Sequence, residues 1–310
     1  MKRFRHLLLL AACLLPGVAA AQIPADLLLQ QAPDAVSGGM AGVGLANIHN
    51  GSASIFHNVS TLGFAQEMMG VGYSYSRSSL DNALQGVSAF YKIGREGKQG
   101  VTLAYRHFRK PSFVVDGGEK FHARAWDIEA AYFRNVAKNL SMGLTLRYLQ
   151  SNVLPGVGSK WTGCVDFGAT YHHGMKYFDE MSSWSIGFQA GNLGPKLDGW
   201  ALPARLGLGG AVDLPFSMEQ RLQVAVDLHY LLPSSVRHLQ AGIGAEYNFL
   251  RYAIVRAGYH FDNKAKGLGN YGTVGCGINF MPLTLNFAYH LAGKTSFLHN
   301  LWQLSVAVAL

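Results

Sequence analysis

Large apolar and small or polar side chains alternate along many segments of this chain. In 221–230 the even positions are apolar from Leu222 to Tyr230, whereas the odd positions include Arg221 and Asp227. A period of two residues predicts a β-strand with one apolar and one polar face. The same pattern recurs in segments 141–148, 283–290 and 302–310.

Fourteen such segments can be traced, and their spacing predicts an antiparallel series of strands. The segments after strands two, four, eight, ten and twelve are short, whereas most of the others are longer, including 174–182 after strand six. Short periplasmic turns and longer outer loops are typical of outer-membrane barrels, and an even strand count places both chain ends in the periplasm. The predicted strands are 67–76, 84–93, 100–109, 123–134, 140–150, 160–172, 183–192, 203–213, 219–231, 238–248, 251–261, 271–280, 282–290 and 300–310.

The amino-acid composition favours a membrane barrel over a soluble β-sheet protein. The chain is 49% hydrophobic and only 14% charged, against roughly 25% charged in soluble domains. After the N-terminal segment, no stretch approaches the ~18 consecutive apolar residues that a membrane-spanning helix needs. A closed barrel is the other structure in which every backbone N–H and C=O group is hydrogen-bonded within lipid. We therefore predict an all-β fold, a 14-stranded antiparallel transmembrane β-barrel over residues 66–310, in contact with outer-membrane lipid. Aromatic residues near strand ends suit interfacial girdles: Tyr75, Trp126, Tyr148, Trp161, Trp184 and Trp302.

Residues 1–21 have the pattern of an export signal. Lys2, Arg3 and Arg5 precede an apolar stretch, and small residues at Ala19 and Ala21 predict cleavage before Gln22. Two alternatives remain, an N-terminal membrane anchor and lipidation at Cys13.

Residues 22–65 do not alternate and are rich in Gly, Ala, Asn and Ser. A segment with such small side chains can fold inside a barrel as a plug. The alternative is a loose periplasmic tail.

The charged and chemically reactive residues show no pattern that indicates catalysis. The formal net charge is +8, but the basic residues are scattered singly, so no nucleic-acid partner is expected. No cofactor, metal site or catalytic centre is expected either, because the histidines lack metal spacing and no nucleophile elbow occurs. Parity places Cys164 in the lumen and Cys276 toward lipid, so both thiols should be free. Charges of both signs face the lumen and should form a hydrogen-bonded network, an ion path being the alternative: Arg106, Asp127, Glu129, Arg147, Asp166, Arg221, Asp227, Glu246 and Arg256.

Several motifs spread over the chain resemble one family of outer-membrane barrels. Ala32 to Gly44 reads APDAVSGGMAGVG, and Phe56 to Ser60 reads FHNVS. Further segments are 130–134, 146–151, 191–196 with Leu202-Pro203, 226–233 and 256–259. Together they resemble the PorV/PorQ family within the wider FadL-like barrels. The Leu-Leu-Pro piece at 231–233 and the loop at Lys266-Gly267 look more like PorV.

The resemblance implies a role in type IX secretion. Such proteins associate with a large translocon barrel protein, receive secreted cargo with a C-terminal sorting domain, and pass it to a surface attachment complex. The implied working parts are outer loops at 110–122, 193–202 and 262–270, although the apolar patch at 113–115 could equally pack on the rim of its own barrel. The candidate partner-binding residues are Phe113, Val114, Val115, Leu197, Trp200, Lys264 and Lys266. The plug motif is Asp34, Gly38, Gly39, Met40, Gly42, Gly44 and Asn58.

Two other functions stay open at this point. A FadL-like transporter of hydrophobic small molecules would have an apolar pocket and a lateral opening, which strand kinks at Gly207, Gly209 and Gly210 could provide. An accessory barrel without a transport role is the other.

Overall fold

The computed structural model describes residues 24–114, 120–153, 156, 158–177, 180–217, 219–249, 252–294 and 296–310. It contains all fourteen predicted strands. Their bounds are β1 Met69–Arg77, β2 Ala83–Ile93, β3 Gln99–Val114, β4 Lys120–Ala137, β5 Leu140–Asn152, β6 Lys160–Tyr177, β7 Glu180–Leu193, β8 Arg205–Ser217, β9 Gln220–Leu231, β10 Leu239–Phe249, β11 Ala253–Phe261, β12 Tyr271–Phe280, β13 Leu283–Ala292 and β14 Trp302–Ala309.

The strands close into a single antiparallel barrel. Each strand pairs with its sequence neighbours, and β1 pairs with β14 from Gly70 opposite Ala309 to Arg77 opposite Trp302. Closure removes the free sheet edges that could not be satisfied in lipid. The predicted 14-stranded antiparallel barrel is confirmed.

Side chains divide by parity between lipid and lumen. On β9, Val224, Val226 and Leu228 are exposed on the outside, while Gln223 and Asp227 are buried inside. Cys164 is buried and Cys276 is exposed, and neither forms a disulfide, as the alternation predicts. On the lipid face an aromatic row crosses β3 to β6, with ring centroids 5.6–6.3 Å apart; its members are Tyr105, Trp126, Tyr148 and Trp161.

Two predicted loops are largely strand. Phe113 on β3 pairs with Phe121 on β4, their ring centroids 5.5 Å apart, so most of 110–122 is an extension of the hairpin. Aromatic and β-branched residues favour this extended backbone. In the same way β6 reaches Tyr177 and β7 starts at Glu180, which removes most of the predicted connection 174–182.

Connection lengths give the barrel two different ends. The segments after odd-numbered strands include 194–204, 262–270 and 293–301, and this is the long-connection end. Segments after even-numbered strands are brief, and Leu310 lies at this short-connection end, where its N–H donates to Met69 O at 2.9 Å. The periplasmic placement of both chain ends stays a prediction, since residues 1–23 lie outside the described part of the chain.

The N-terminal segment fills the lumen. It consists of two short α-helices, α1 Pro24–Gln30 and α2 Ala35–Gly39, followed by 3₁₀ helices Gly51–Phe56 and Val59–Phe64. Within the described residues, no helix has the length and apolar character needed to span a bilayer. We refer to residues 24–65 as the plug.

Candidate functional site

The plug is fixed by a short helix that caps itself. Asp34 precedes α2, and its carboxylate accepts hydrogen bonds from the N–H groups of Val36 at 3.0 Å and Ser37 at 2.8 Å. An aspartate in this position satisfies the free N–H groups of a helix start. The ring of His57, from the later part of the plug, lies 3.0 Å from the same carboxylate. Asp34 therefore joins both halves of the plug.

The Asp34 carboxylate stays ionised at neutral pH. Burial raises its pKa, but the hydrogen bond and charge of His57 and the hydrogen bonds of Ser37 lower it more, so the pKa ends below the ordinary value. The lowered pKa stabilises the plug above the unfolded-state value near 4. That contribution is lost only as the pH falls through the folded-state pKa.

Asn58 connects the plug to the wall. Its side chain caps the second 3₁₀ helix through Ser60 N–H, and its amide nitrogen donates to Leu45 O at 2.8 Å and Thr170 Oγ1 at 3.1 Å. The side chain of Asn58 thus connects two segments of the plug to each other and to strand β6 of the wall.

The backbone of the plug also binds a buried carboxylate of the wall. Asp227 on β9 accepts the N–H groups of Gly44 at 2.7 Å and Leu45 at 3.0 Å. Hydrogen bonds to a charged acceptor are stronger than neutral ones. This explains why a charge predicted to face the lumen is tolerated there.

Glycines provide the close contact between plug and wall. A Cβ on Gly38 would lie 1.7 Å from Gln303 Oε1, and one on Gly44 would lie 2.6 Å from the ring of His57. Gly42 has a φ of +82°, a conformation that other residues rarely adopt. Gly39 approaches Arg256 and Gly275 of the wall, and Met40 is fully buried. The predicted plug-motif residues therefore all lie inside the barrel, as packing and hydrogen-bonding elements.

A glycine of the wall offers a direct test of this packing. A Cβ on Gly187 of β7 would lie 2.0 Å from the backbone oxygen of Leu45, which cannot move without displacing the plug. We expect Gly187→Ala to lower the free energy of unfolding by about 1–3 kcal/mol through overpacking and to increase proteolysis within 24–65. The matched control is Gly210→Ala on the neighbouring strand, whose nearest atom is 3.8 Å away. Equal proteolysis of both variants would contradict the close contact.

Two arginines and three carboxylates form a network on one side of the lumen. Arg147 lies 2.9 Å from Glu129, 3.0 Å from Asp166 and 3.7 Å from Asp127. Arg106 lies 2.6 Å from Asp127 and 2.8 Å from Glu129, and it also donates to Leu28 O of α1. The network therefore fastens the plug as well as the wall.

A second network lies on the opposite strands. Glu246 on β10 binds Arg256 at 2.7 Å and Arg221 at 3.0 Å. Arg221 and Asp213 also contact His49 of the plug, with His49 Nε2 lying 2.6 Å from Asp213. The predicted network of lumen charges is thus present as two groups on the wall, and residues of the plug contact both groups.

Polar side chains line a cavity inside the lumen. A cavity of about 40 Å³ remains between plug and wall, with Arg106, Arg205, Asp227, His229 and Tyr271 among its lining residues. That volume accommodates a few water molecules.

An apolar cluster closes the long-connection end. Leu27, Leu28 and Leu29 of α1 pack with Phe108 and Leu149 of the wall. Residues of the long connections complete this mouth cluster: Leu197, Leu202, Leu268, Leu298 and Leu301.

The wall near the glycines of β8 is continuous. From Arg205 to Asp213, β8 pairs with both β7 and β9. Gly207 and Gly209 face inward, and a Cβ on either would lie 2.7 Å from the side chain of Leu45. In this structure they make room for the plug, and the strand kink considered for a lateral opening is absent among these described residues.

The predicted partner-binding residues at the rim differ in their exposure. Trp200 is 57% exposed, and Lys264 and Lys266 are exposed on the loop after β11. Phe113 and Val114 are exposed on the extended hairpin, and Val115 lies outside the described residues. Leu197 is only 2% exposed. Its side chain is part of the mouth cluster and does not lie at the surface, whereas partner binding by the exposed residues stays a prediction.

Several side chains that hold the plug were not predicted from the sequence. Gln303 donates to Ala32 O at 2.7 Å, Gln189 donates to His57 O, and Ser305 Oγ accepts from Ala35 N–H at 2.8 Å. The available signal was parity, since all three occupy lumen-facing positions. In the described part of the chain no group of three His, Cys, Asp or Glu side chains could hold a metal ion.

Comparison with known proteins gives one family and several similar folds. The family model for type IX secretion system protein PorV matches residues 19–237. A comparison with curated protein sequences finds no match. The Pseudomonas putida toluene transporter TodX superimposes with a TM-score of 0.57 at 13% identity, covering 89% of this chain and 96% of that chain.

Two further structures have the same architecture. The CymD monoaromatic hydrocarbon channel gives a TM-score of 0.53 at 16% identity, over 91% of this chain and 96% of that chain. A Pseudomonas aeruginosa FadL homologue gives 0.50 at 11% identity, over 89% and 98%. At such identities the likeness shows a shared FadL-like fold.

Proposed function

Since the chain belongs to the PorV family, matched over residues 19–237, we propose that this outer-membrane barrel acts as a docking component of the type IX secretion system. In this proposal it associates with a large translocon barrel protein. It receives cargo with a C-terminal sorting domain and hands the cargo to the surface attachment machinery.

The closed lumen is the observation that carries the proposal. The plug occupies the lumen, the mouth cluster packs at one end, and a cavity of about 40 Å³ lies between plug and wall, so we propose that cargo does not pass through the barrel. A barrel without a path through its lumen acts through its surface. The longer connections lie at one end, and we propose that this end faces the cell exterior, with residues 1–21 removed as a signal peptide.

A turn at this end presents one large aromatic side chain. Leu197 and Trp200 exchange backbone hydrogen bonds of 2.9 and 3.0 Å, with positive φ at Asp198 and Gly199 between them. Such a two-residue turn is a defined hairpin geometry. Buried Leu197 anchors the turn, and Trp200 remains exposed. Tryptophan is enriched among the residues that dominate binding energy at interfaces.

The test is a pull-down of the tagged protein from outer membranes in mild detergent, followed by mass spectrometry. We expect the intact protein to recover a very large barrel protein or exported proteins that share a C-terminal domain. Trp200→Ser should reduce this recovery at least about tenfold, since such residues commonly contribute 2 kcal/mol or more.

The matched control lies at the short-connection end. Glu96→Gln combined with Lys98→Gln removes an exposed ion pair in the turn after β2 and should leave recovery unchanged. Recovery of the barrel alone by the intact protein would contradict the docking role. Equal recovery by Trp200→Ser and the control would remove Trp200 from the contact.

A transporter of hydrophobic small molecules is the second candidate, favoured by the fold shared with the toluene transporter and the hydrocarbon channel. The small polar cavity and the continuous wall at β8 argue against it. Fatty acid or another lipid held in the purified barrel, without protein partners, would place this candidate first.

A further inference from the structure

The outer surface of β3 and β4 carries an unusual pair of cations. Arg109 and Arg124 lie directly opposite each other in the register of the two strands. Their neighbours Phe108 and Ala125 are buried in the lumen, so by alternation both arginines are on the lipid-facing side. His107, two residues before Arg109, is on the same face.

This pair lacks the acidic partner that other cations at the same end possess. Arg77 lies 2.7 Å from Asp81, and Lys160 lies 3.9 Å from Asp198. Among the residues that the structure describes, no carboxylate pairs with Arg109 or Arg124. Directly opposed like charges on neighbouring strands destabilise a sheet. An unpaired arginine pair at this position is therefore a local cost that an anion would remove.

The surroundings identify the kind of anion. The pair lies beyond the aromatic row, next to Trp126, where a barrel meets the boundary between hydrocarbon and headgroups. Exposed lipid-facing positions on other strands at this rim include the apolar residues Leu206, Leu239 and Phe261. A ligand at this depth has both an apolar part beside the aromatic row and a charged part beside the arginines.

We propose that Arg109 and Arg124 bind the phosphate of a phosphorylated lipid headgroup, whose acyl chains lie along the aromatic row. Guanidinium groups match phosphate geometry through paired N–H donors. The Trp126 and Tyr148 rings, with centroids 5.6 Å apart, form the apolar surface below the phosphate. The site fixes lipid at the base of the extended hairpin that carries Phe113 and Val114.

The test measures lipid retention by mass spectrometry of purified protein released from detergent micelles. Bisphosphorylated lipid A is the phosphorylated probe, and a digalactosyl lipid without phosphate is the neutral one. We expect the intact protein to retain lipid A in preference to the neutral lipid. Arg109→Gln with Arg124→Gln should weaken lipid A binding about tenfold for each arginine.

The matched control is Arg77→Gln with Lys160→Gln, which removes two cations of the same end that already have acidic partners; it should retain lipid A like the intact protein. Equal retention by the Arg109/Arg124 variant, or equal retention of the neutral lipid, would overturn the proposal. Displacement of lipid A by excess inorganic phosphate or by an oligoglutamate peptide would assign the arginines to a soluble anion instead.

Thermal unfolding in lipid-free detergent separates binding from folding. Because the variant relieves a like-charge pair, we expect its unfolding temperature to equal or exceed that of the intact protein. Added lipid A should raise the unfolding temperature of the intact protein only. A lower unfolding temperature for the lipid-free variant would show that the arginines stabilise the hairpin without an anion, and would overturn the premise.

Discussion

Replacing Arg147 by methionine is expected to lower the free energy of unfolding by about 3–5 kcal/mol, because three buried carboxylates lose the cation that they share. Arg147 contacts Glu129, Asp166 and Asp127, and its side chain is only 3% exposed. After the change, Arg106 still pairs with Asp127 and Glu129, whereas Asp166 loses its ion pair. Methionine keeps much of the side-chain volume, so the loss of stability measures the removal of the charge and not the creation of a cavity. The measurement is urea unfolding of the protein in lipid vesicles, followed by tryptophan fluorescence.

Arg221 provides the matched comparison for this prediction. It also binds two carboxylates, Asp213 and Glu246, but its side chain is 27% exposed and Glu246 keeps Arg256. Water can replace part of its role, so Arg221→Met should cost about 1 kcal/mol or less. Adding Glu129→Gln to Arg147→Met should recover part of the lost stability, which a double-mutant cycle would quantify. Equal losses at the two arginines would mean that burial does not determine the effect.

The wall of the barrel could be predicted because parity is a local property. Whether Asp127 or Ile128 faces the lumen depends on alternation alone, and the observed burial follows it. The same reasoning placed the charges and both cysteines. Strand ends were less well predicted at 110–122, where Phe113 and Phe121 continue the ladder beyond the membrane-facing part. A cross-strand contact of that kind depends on a partner that the local pattern does not reveal.

The path of the plug could not be predicted, since it depends on contacts between residues distant in sequence. Gly44 meets Asp227, and Asn58 meets Thr170, through hydrogen bonds that leave no periodic signal. Leu197 illustrates the same limit. Its position in a polar loop suggested exposure, but α1 and the neighbouring connections bury it. The resemblance of residues 32–44 to one family identified the plug motif, whereas its physical role required the glycine contacts.

Deleting the plug, residues 24–65, is expected to turn a closed barrel into an ion-conducting one. Each strand pairs with its two neighbours in the closed barrel, so we expect the barrel to remain folded without the plug. Removal exposes Asp227, Arg106 and the other lumen charges to water, which hydrates them in place of the plug's N–H and C=O groups. Conductance across a planar bilayer measures the result, with the intact protein expected to stay closed.

A shorter deletion, residues 24–33, distinguishes two parts of the seal. It removes α1 from the mouth cluster but keeps Asp34, Gly44 and Asn58, whose contacts hold the remaining plug against the wall. We expect conductance to rise only slightly in this variant and strongly in the full deletion. A folded full deletion that does not conduct would mean that Leu202, Leu298 and their neighbours in the long connections close the lumen without the plug. That result would shift the seal from the N-terminal segment to the same loops that we propose as the docking surface, and partner binding would then be expected to control opening.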